Sequence, residues 1–388
     1  MSEMYYNTDN YTSVVNKKTY KNNDMEYLIL NYNNELMNYS EQDSNYRSVI
    51  KDKNDKLLCY SLPKSIEYKE FQNKYELKDE DVIVREIIEG TMINVFYDER
   101  EEKWKMATKS ALGGEYFFYR NEYNNKEKNQ KNFKTMFLES IRSDTNIDIN
   151  DVPLINSLPS KQYSYSFVLQ HPDNHIVLEL SEPKLYLITA FEIYDNKARQ
   201  VTLKELKSMN IMPGIIYYPK EIDKEESYEK MDIKYTMDKC ELKMGLMYTN
   251  EKTGGRCHSR HERYEKMRLL RGNNPNLQYQ YLCLKKMGKV KEFLKFFPKY
   301  KTLFYRFYNE YKNFLMNLHK GYLSYYIQKS GEKIEKKYFY HLYRIHHNIY
   351  LPSVNTKEKK IMNKNEIYNY FEDYDPIQQL YFLNYQEK

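Results

Sequence analysis

The spacing of apolar residues changes once along the chain, near Tyr264, and the change limits what each side can become. Before it the period is two. Met92, Asn94 and Phe96 alternate with Ile93, Val95 and Tyr97, and Trp104 and Met106 alternate with Lys103 and Lys105. Such alternation makes half-buried strands. Ile176–Leu180 and Leu185–Ile188 read as short apolar strands, with Ser181-Glu182-Pro183-Lys184 as the turn between them. Gly113-Gly114 reads as a loop, and a helix is expected around Phe133–Ile141. After Tyr264 the period is helical. Leu303, Phe304, Phe307, Tyr308, Tyr311, Phe314, Leu315 and Leu318 form one apolar stripe. Val290, Phe293, Leu294 and Phe297 form another, ended by Pro298. Asn363 with Glu366 predicts one helix start, and Asp375-Pro376 another. The 388 residues suffice for two cores. The expected organisation is a polar arm over residues 1–45, an α+β domain over 46–270 and an all-helical domain over 271–388.

Bulk properties exclude several classes. The mean hydropathy is −0.89, and no apolar run is long enough to span a membrane. The N-terminus lacks the basic-then-apolar order of a secretory signal. Cys59, Cys240, Cys257 and Cys283 have no paired spacing and read as reduced thiols of a cytoplasmic protein. Cys257, His258 and His261 share a short segment but lack a second ligand pair, so no metal site is expected. The charge is uneven. Lys243–Arg271 carries a net +5 and Lys285–Arg306 a net +7, against +6 for the whole chain. A basic block in a near-neutral chain suggests a polyanion-facing surface. Interleaved aromatics, among them Tyr279, Tyr281 and Tyr305, suit a single strand held by stacking. Arg263, Lys266, Arg268 and Arg271, with Tyr279 and Tyr281, are the candidate nucleic-acid contacts.

Residues 46–270 hold six segments in a telling order. Leu57-Leu58-Cys59-Tyr60-Ser61-Leu62-Pro63-Lys64 comes first, then Arg85-Glu86-Ile87-Ile88-Glu89-Gly90-Thr91-Met92-Ile93-Asn94. Trp104-Lys105-Met106-Ala107-Thr108-Lys109-Ser110 follows. Tyr165-Ser166-Phe167-Val168-Leu169 with Pro172-Asp173-Asn174-His175-Ile176-Val177 is the fourth. Met244-Gly245-Leu246-Met247 and Arg256-Cys257-His258-Ser259-Arg260 complete the set. In order and spacing they resemble the motifs of T4-type RNA ligases, and the chain also resembles ligase-like proteins of large DNA viruses. The resemblance implies a nucleotidyltransferase (ATP-grasp-like, ligase) domain of antiparallel sheets with helices, followed by an all-α domain. It implies ATP and Mg²⁺ as cofactors if the protein is active, RNA as partner, and a place in host cytoplasm or virion.

The departures fall on the chemistry. The family's lysine nucleophile is Ile87 here, and an alkyl side chain cannot attack a phosphate. The motif III glutamate is Val168 and the motif IV glutamate is Met244. The later arginine is His175, and the paired lysines of motif V are His258 and Arg260. Losing a nucleophile costs about six orders of magnitude in rate. Three readings follow: a degenerate ligase-like protein that binds RNA or RNA ends, an active enzyme with a displaced lysine such as Lys64, or a scaffold whose cleft is filled by the apolar replacements. A protein partner is compatible with each. Lys64, Glu89, Gly90, Lys109, Arg256 and Arg260 are the candidate nucleotide or phosphate contacts.

Overall fold

The computed structural model describes residues 5–9, 11–22, 25–33, 41–117, 131–174, 176–224, 243–272, 274–354, 356 and 360–385. Residues 225–242, Cys240 among them, lie outside these, as does His175. Contacts divide the chain into a first unit, up to Arg268, and a second from Leu269 onward. No helix among the described residues is long and apolar enough to cross a membrane.

The first unit is α+β and holds three antiparallel sheets. The largest runs β1 (Tyr5–Asn7), β11 (Lys197–Gln200), β10 (Lys184–Tyr194), β9 (Tyr163–Gln170), β7 (Thr91–Asp98), β8 (Lys103–Thr108), with the short β12 (Ile216–Tyr217) parallel to β10. A four-stranded sheet runs β2 (Val15–Asn22), β3 (Met25–Tyr32), β4 (Val49–Asp52), β5 (Leu57–Tyr60). A three-stranded sheet runs β14 (Arg256–Arg260), β13 (Gly245–Asn250), β6 (Val82–Glu86).

Period-two alternation sorts the side chains of the large sheet. Tyr165, Phe167 and Leu169 of β9, Ile93 and Val95 of β7, and Trp104 and Met106 of β8 enter one core. Phe133, Met136, Phe137 and Leu138 of α2 (Phe133–Ser140) cover it. The opposite face is buried too. Ser166 of β9 donates to Asn94, and Ser164 donates to the Tyr60 carbonyl of β5. Phe96 and Ala107 share an apolar cluster with Tyr27, Ile29, Ile50 and Cys59 of the four-stranded sheet. The small sheet packs Val82, Val84, Leu246, Tyr248 and Cys257 against Phe71 of α1 (Tyr68–Lys74).

Two expectations change. The segment read as a polar arm supplies β1, β2 and β3, and buries Tyr6, Val15, Tyr27, Ile29, Leu30 and Tyr32. Its tyrosines are strand residues; their abundance had masked the alternation. Residues 176–178 form bends where a strand was expected, because their amides are taken by a side chain described below.

The second unit is all-helical among its described residues. It contains α5 (Leu277–Lys286), α6 (Val290–Phe296), α7 (Lys301–Tyr322), α8 (Lys336–Arg344), α9 (Lys364–Glu372) and α10 (Pro376–Leu383). Asn363 caps α9 by accepting from the Asn365 and Glu366 amides. Asp375 opens α10 with a capping box and proline in the first turn. Phe304, Phe307, Tyr311, Phe314 and Leu318 are the buried stripe of α7. His341 is fully buried; its Nδ1 lies 2.8 Å from the Tyr370 hydroxyl, and its ring packs edge-on to Phe382.

Two stability tests follow. Phe167→Ala should lower the unfolding free energy by about 3–5 kcal/mol in urea melts, since it empties a fully buried ring site. Burial, aided by the Arg344 charge, pushes His341 down to about 4, whereas an unfolded imidazole titrates near ~6.5. The folded state therefore binds this proton more weakly. Its contribution is intact above pH ~6.5 and is lost as the pH falls toward about 4. Between pH 6.5 and 5 the urea midpoint of wild type should fall more steeply than that of His341→Leu; parallel slopes would refute the assignment.

Candidate functional site

The motif positions converge although they are far apart in sequence. Ile87 follows β6, and its amide donates to the Gly245 carbonyl at 2.9 Å. Gly245 pairs with Arg260 in the β13–β14 ladder. Gly90 opens β7 beside β9: a Cβ there would lie 2.4 Å from the Leu169 carbonyl oxygen and 2.7 Å from Val168 Cγ1. Only glycine permits that approach. Ile87, Val168 and Met244 are each half-buried.

Glu89 is buried and turned away from solvent. Its Oε1 accepts the amides of Ile176, Val177 and Leu178 at 3.0, 3.0 and 3.1 Å. Its own carbonyl accepts from Gln170 Nε2. The Tyr264 hydroxyl bonds the same carboxylate, which with burial raises that phenol well above its ordinary value. The acidic side chain at the Asp position of the motif thus holds the 176–178 bend, and its acceptor capacity is spent inside the protein. Glu89 and Gly90 are explained by packing alone.

Positive charge gathers elsewhere in the first unit, around Tyr32 at the end of β3. Lys109 Nζ lies 4.2 Å and Lys64 Nζ 5.6 Å from the centre of its ring. Burial and the charges of Arg47 and Lys64 push Lys109 below the ordinary lysine value. Burial lowers Arg47 as well, and its Nε finds no hydrogen-bond partner. Arg256 is buried, with Nε donating to the Pro63 carbonyl at 3.0 Å. Burial and the Arg47 charge push it down to about 9. A guanidinium still keeps its proton at neutral pH, so the depression measures charge repulsion and lost hydration. Among the described residues, burial is the largest influence on Arg47, Lys109 and Arg256, and no carboxylate ranks among the leading ones. An anion in this cluster would relieve all three.

The charge continues along β14. Arg256, His258 and Arg260 alternate with Cys257, which faces the apolar core. His258 Nδ1 lies 2.7 Å from the Ser65 hydroxyl. Burial, with the charges of Arg260 and Arg256, pushes His258 down to about 4, so it is neutral at pH 7. Arg260 reaches Glu265 at 3.6 Å. Cys59 and Cys257 are pushed up to about 12 by burial and are no nucleophiles. Among the described residues no three His, Cys, Asp or Glu side chains are grouped to hold a metal ion.

The candidate RNA contacts divide. Arg263 and Lys266 are exposed on α4 (Glu262–Arg271). Arg268 is tied to Glu265 through Nε at 2.9 Å. Three side chains are not where a surface reading put them. Arg271 is buried over the Tyr300 ring. Tyr281 is buried edge-on to Phe304. Tyr279 is half-buried. Helical periodicity turns Tyr281 to the core side of α5, so it cannot stack on a base. Sequence reasoning missed Arg47 and Tyr32. Arg47 lies beside an apolar run, Val49-Ile50, and resembles any strand-flanking charge; Tyr32 is one of 43 tyrosines.

No protein-family model matches the sequence, and no curated protein matches it. Among solved structures the chain is similar to RNA ligase of Naegleria gruberi. An alanine mutant with ATP and Mn aligns at 10% identity over 53% of this chain and 56% of that one, with a TM-score of 0.37. A second such mutant with ATP and Mn gives 11%, 53%, 57% and 0.37. An apo mutant gives 11%, 53%, 57% and 0.34. This chain spans little more than half of each. A likeness at this level bears on neither activity nor substrate.

Replacing Glu89 tests its role directly. Glu89→Ala leaves three amides and the Tyr264 hydroxyl without their acceptor, at about 1–3 kcal/mol for each buried donor stranded. Thermal and urea unfolding should show a loss of more than about 3 kcal/mol. A neutral outcome would return Glu89 to the list of ligand contacts.

Proposed function

We infer that this is an RNA ligase-like protein that does not adenylylate itself and that binds RNA at a phosphate-bearing end. The observation that carries this reading is the cluster of Arg47, Lys109 and Arg256 near Tyr32, partly or fully buried cations for which burial is the largest influence and no described carboxylate ranks among the leading ones. Holding such charges together costs stability unless an anion is the reason for them. A terminal phosphate is compact, multiply charged and rich in acceptors, and it matches guanidinium and ammonium donors.

The residues present do not fit adenylyl transfer. Covalent capture of AMP needs an amine or similar nucleophile at the position of Ile87. A divalent ion needs hard oxygen ligands, and Val168 and Met244 supply none. The cations could still hold a triphosphate, with no acceptor for the adenylyl group. Lys64 stands over the Tyr32 ring among the other cations, where its charge serves the phosphate. The scaffold reading requires the apolar replacements to fill the cleft completely, whereas Ile87, Val168 and Met244 are partly buried and each keeps some surface exposed.

With labelled ATP and Mg²⁺ the protein should form no covalent AMP adduct, and an adduct lost in Lys64→Ala would overturn the reading. A fluorescent RNA bearing a 5′-phosphate should bind more tightly than its 5′-hydroxyl counterpart in anisotropy titrations. Arg47→Gln with Lys109→Gln should remove most of that difference. Equal affinity of the two RNAs for wild type would sink the end-binding assignment.

A further inference from the structure

The second unit carries a surface suited to single strands. From Leu269 to Lys388 there are 21 Lys and Arg against 10 Asp and Glu, while the rest of the chain is net acidic. Most of the large apolar side chains exposed among the described residues also lie there, and many are tyrosines.

One face of α7 joins the two properties. Phe304, Phe307, Tyr311 and Phe314 point inward. Lys301, Tyr305, Tyr308 and Lys312 follow at steps of four, three and four, so they share a second stripe, about 100° around the helix from the inward one. Tyr305 is 64% and Tyr308 46% exposed. Their rings are stacked, with centres 6.3 Å apart and planes 27° from parallel. Lys301 and Lys312 stand at the two ends of the stripe, about 16 Å apart along the axis. Both are exposed, and among the described residues neither has a carboxylate within ion-pair distance. The paired charges nearby, Arg306 with Glu310, lie off the stripe.

We propose that Tyr305 and Tyr308 form a base-stacking platform for a single-stranded segment of RNA, with Lys301 and Lys312 meeting phosphates on either side. The inference rests on the RNA reading above and assigns the strand, away from its end, to α7. Charge complementarity and exposed parallel rings select a single strand. A duplex hides its base faces and offers only phosphates.

The full chain is titrated with a fluorescent 5′-hydroxyl single strand and with its duplex, so that recognition of an end phosphate plays no part. Tyr305→Ala with Tyr308→Ala should weaken single-strand binding at least tenfold and change duplex binding less than twofold. Tyr305→Phe with Tyr308→Phe should bind as wild type, because the ring supplies the stack. Lys301→Gln with Lys312→Gln should weaken both RNAs and flatten the dependence of log K on log salt by about 1.5. Circular dichroism on the alanine pair checks that the helix persists. If that pair binds single strands like wild type, or if wild type binds none, the platform is refuted and the stripe passes to a protein partner. Failure of end-phosphate discrimination with this tyrosine dependence intact would remove the end-binding function and leave the platform standing.

Discussion

The carboxylate of Glu89 ties together parts of the first unit that do not pair as strands. It sits between β6 of the small sheet and β7 of the large one. It gathers three consecutive amides of the 176–178 bend and the Tyr264 hydroxyl. A buried carboxylate is costly unless its lone pairs are filled, and here they are filled by groups from two other segments. The amides are withdrawn from strand pairing, which is why an apolar run with every sign of a strand is bent. The same arrangement sets the Ile87–Gly90 turn, and with it the approach of Gly90 to Leu169 and of Ile87 to Gly245. The turn is held by packing and buried hydrogen bonds.

The Tyr32 cluster shows the opposite balance. Its cations come from positions scattered over more than 200 residues; Arg256 is buried and Arg47 and Lys109 partly so, and no described carboxylate is a leading influence on these three. The Tyr32 ring offers a face to Lys64 and Lys109, which offsets part of their lost hydration. The rest of that cost remains while the cluster holds no anion. A fold that had merely lost a catalytic site would gain stability by exchanging Arg47 or Lys109 for neutral side chains.

The second unit adds area and charge. Its helices hold their core through rows of aromatic side chains, so many tyrosines are spent inside. Tyr281 and Tyr311 differ from Tyr305 and Tyr308 only in helical phase. The inner set builds the core, and the outer set is available to a partner.

Much of the plan was legible in the sequence. Alternation at 92–97 and 103–106, the α7 stripe, the stop at Pro298 and the caps at Asn363 and Asp375 all depend on local geometry, and each appears where the residues put it, save that Tyr308, expected in the α7 stripe, turns to solvent. The change from strand to helix period near Tyr264 separated the two units because each period demands its own way of burying an apolar face. The loss of the nucleophile at Ile87 is also a matter of sequence, since no fold gives an alkyl chain a lone pair. Other features were decided only in three dimensions. The N-terminal strands needed partners from β4 and β11 before their tyrosines could be told from polar filler. The role of Glu89 depended on which amides came within reach. Whether Tyr281 or Tyr305 meets solvent turned on the helix against which each packs. The Arg47–Lys109–Arg256 cluster required the chain to close on itself, because burial and mutual repulsion are properties of space and no spacing along a sequence encodes them.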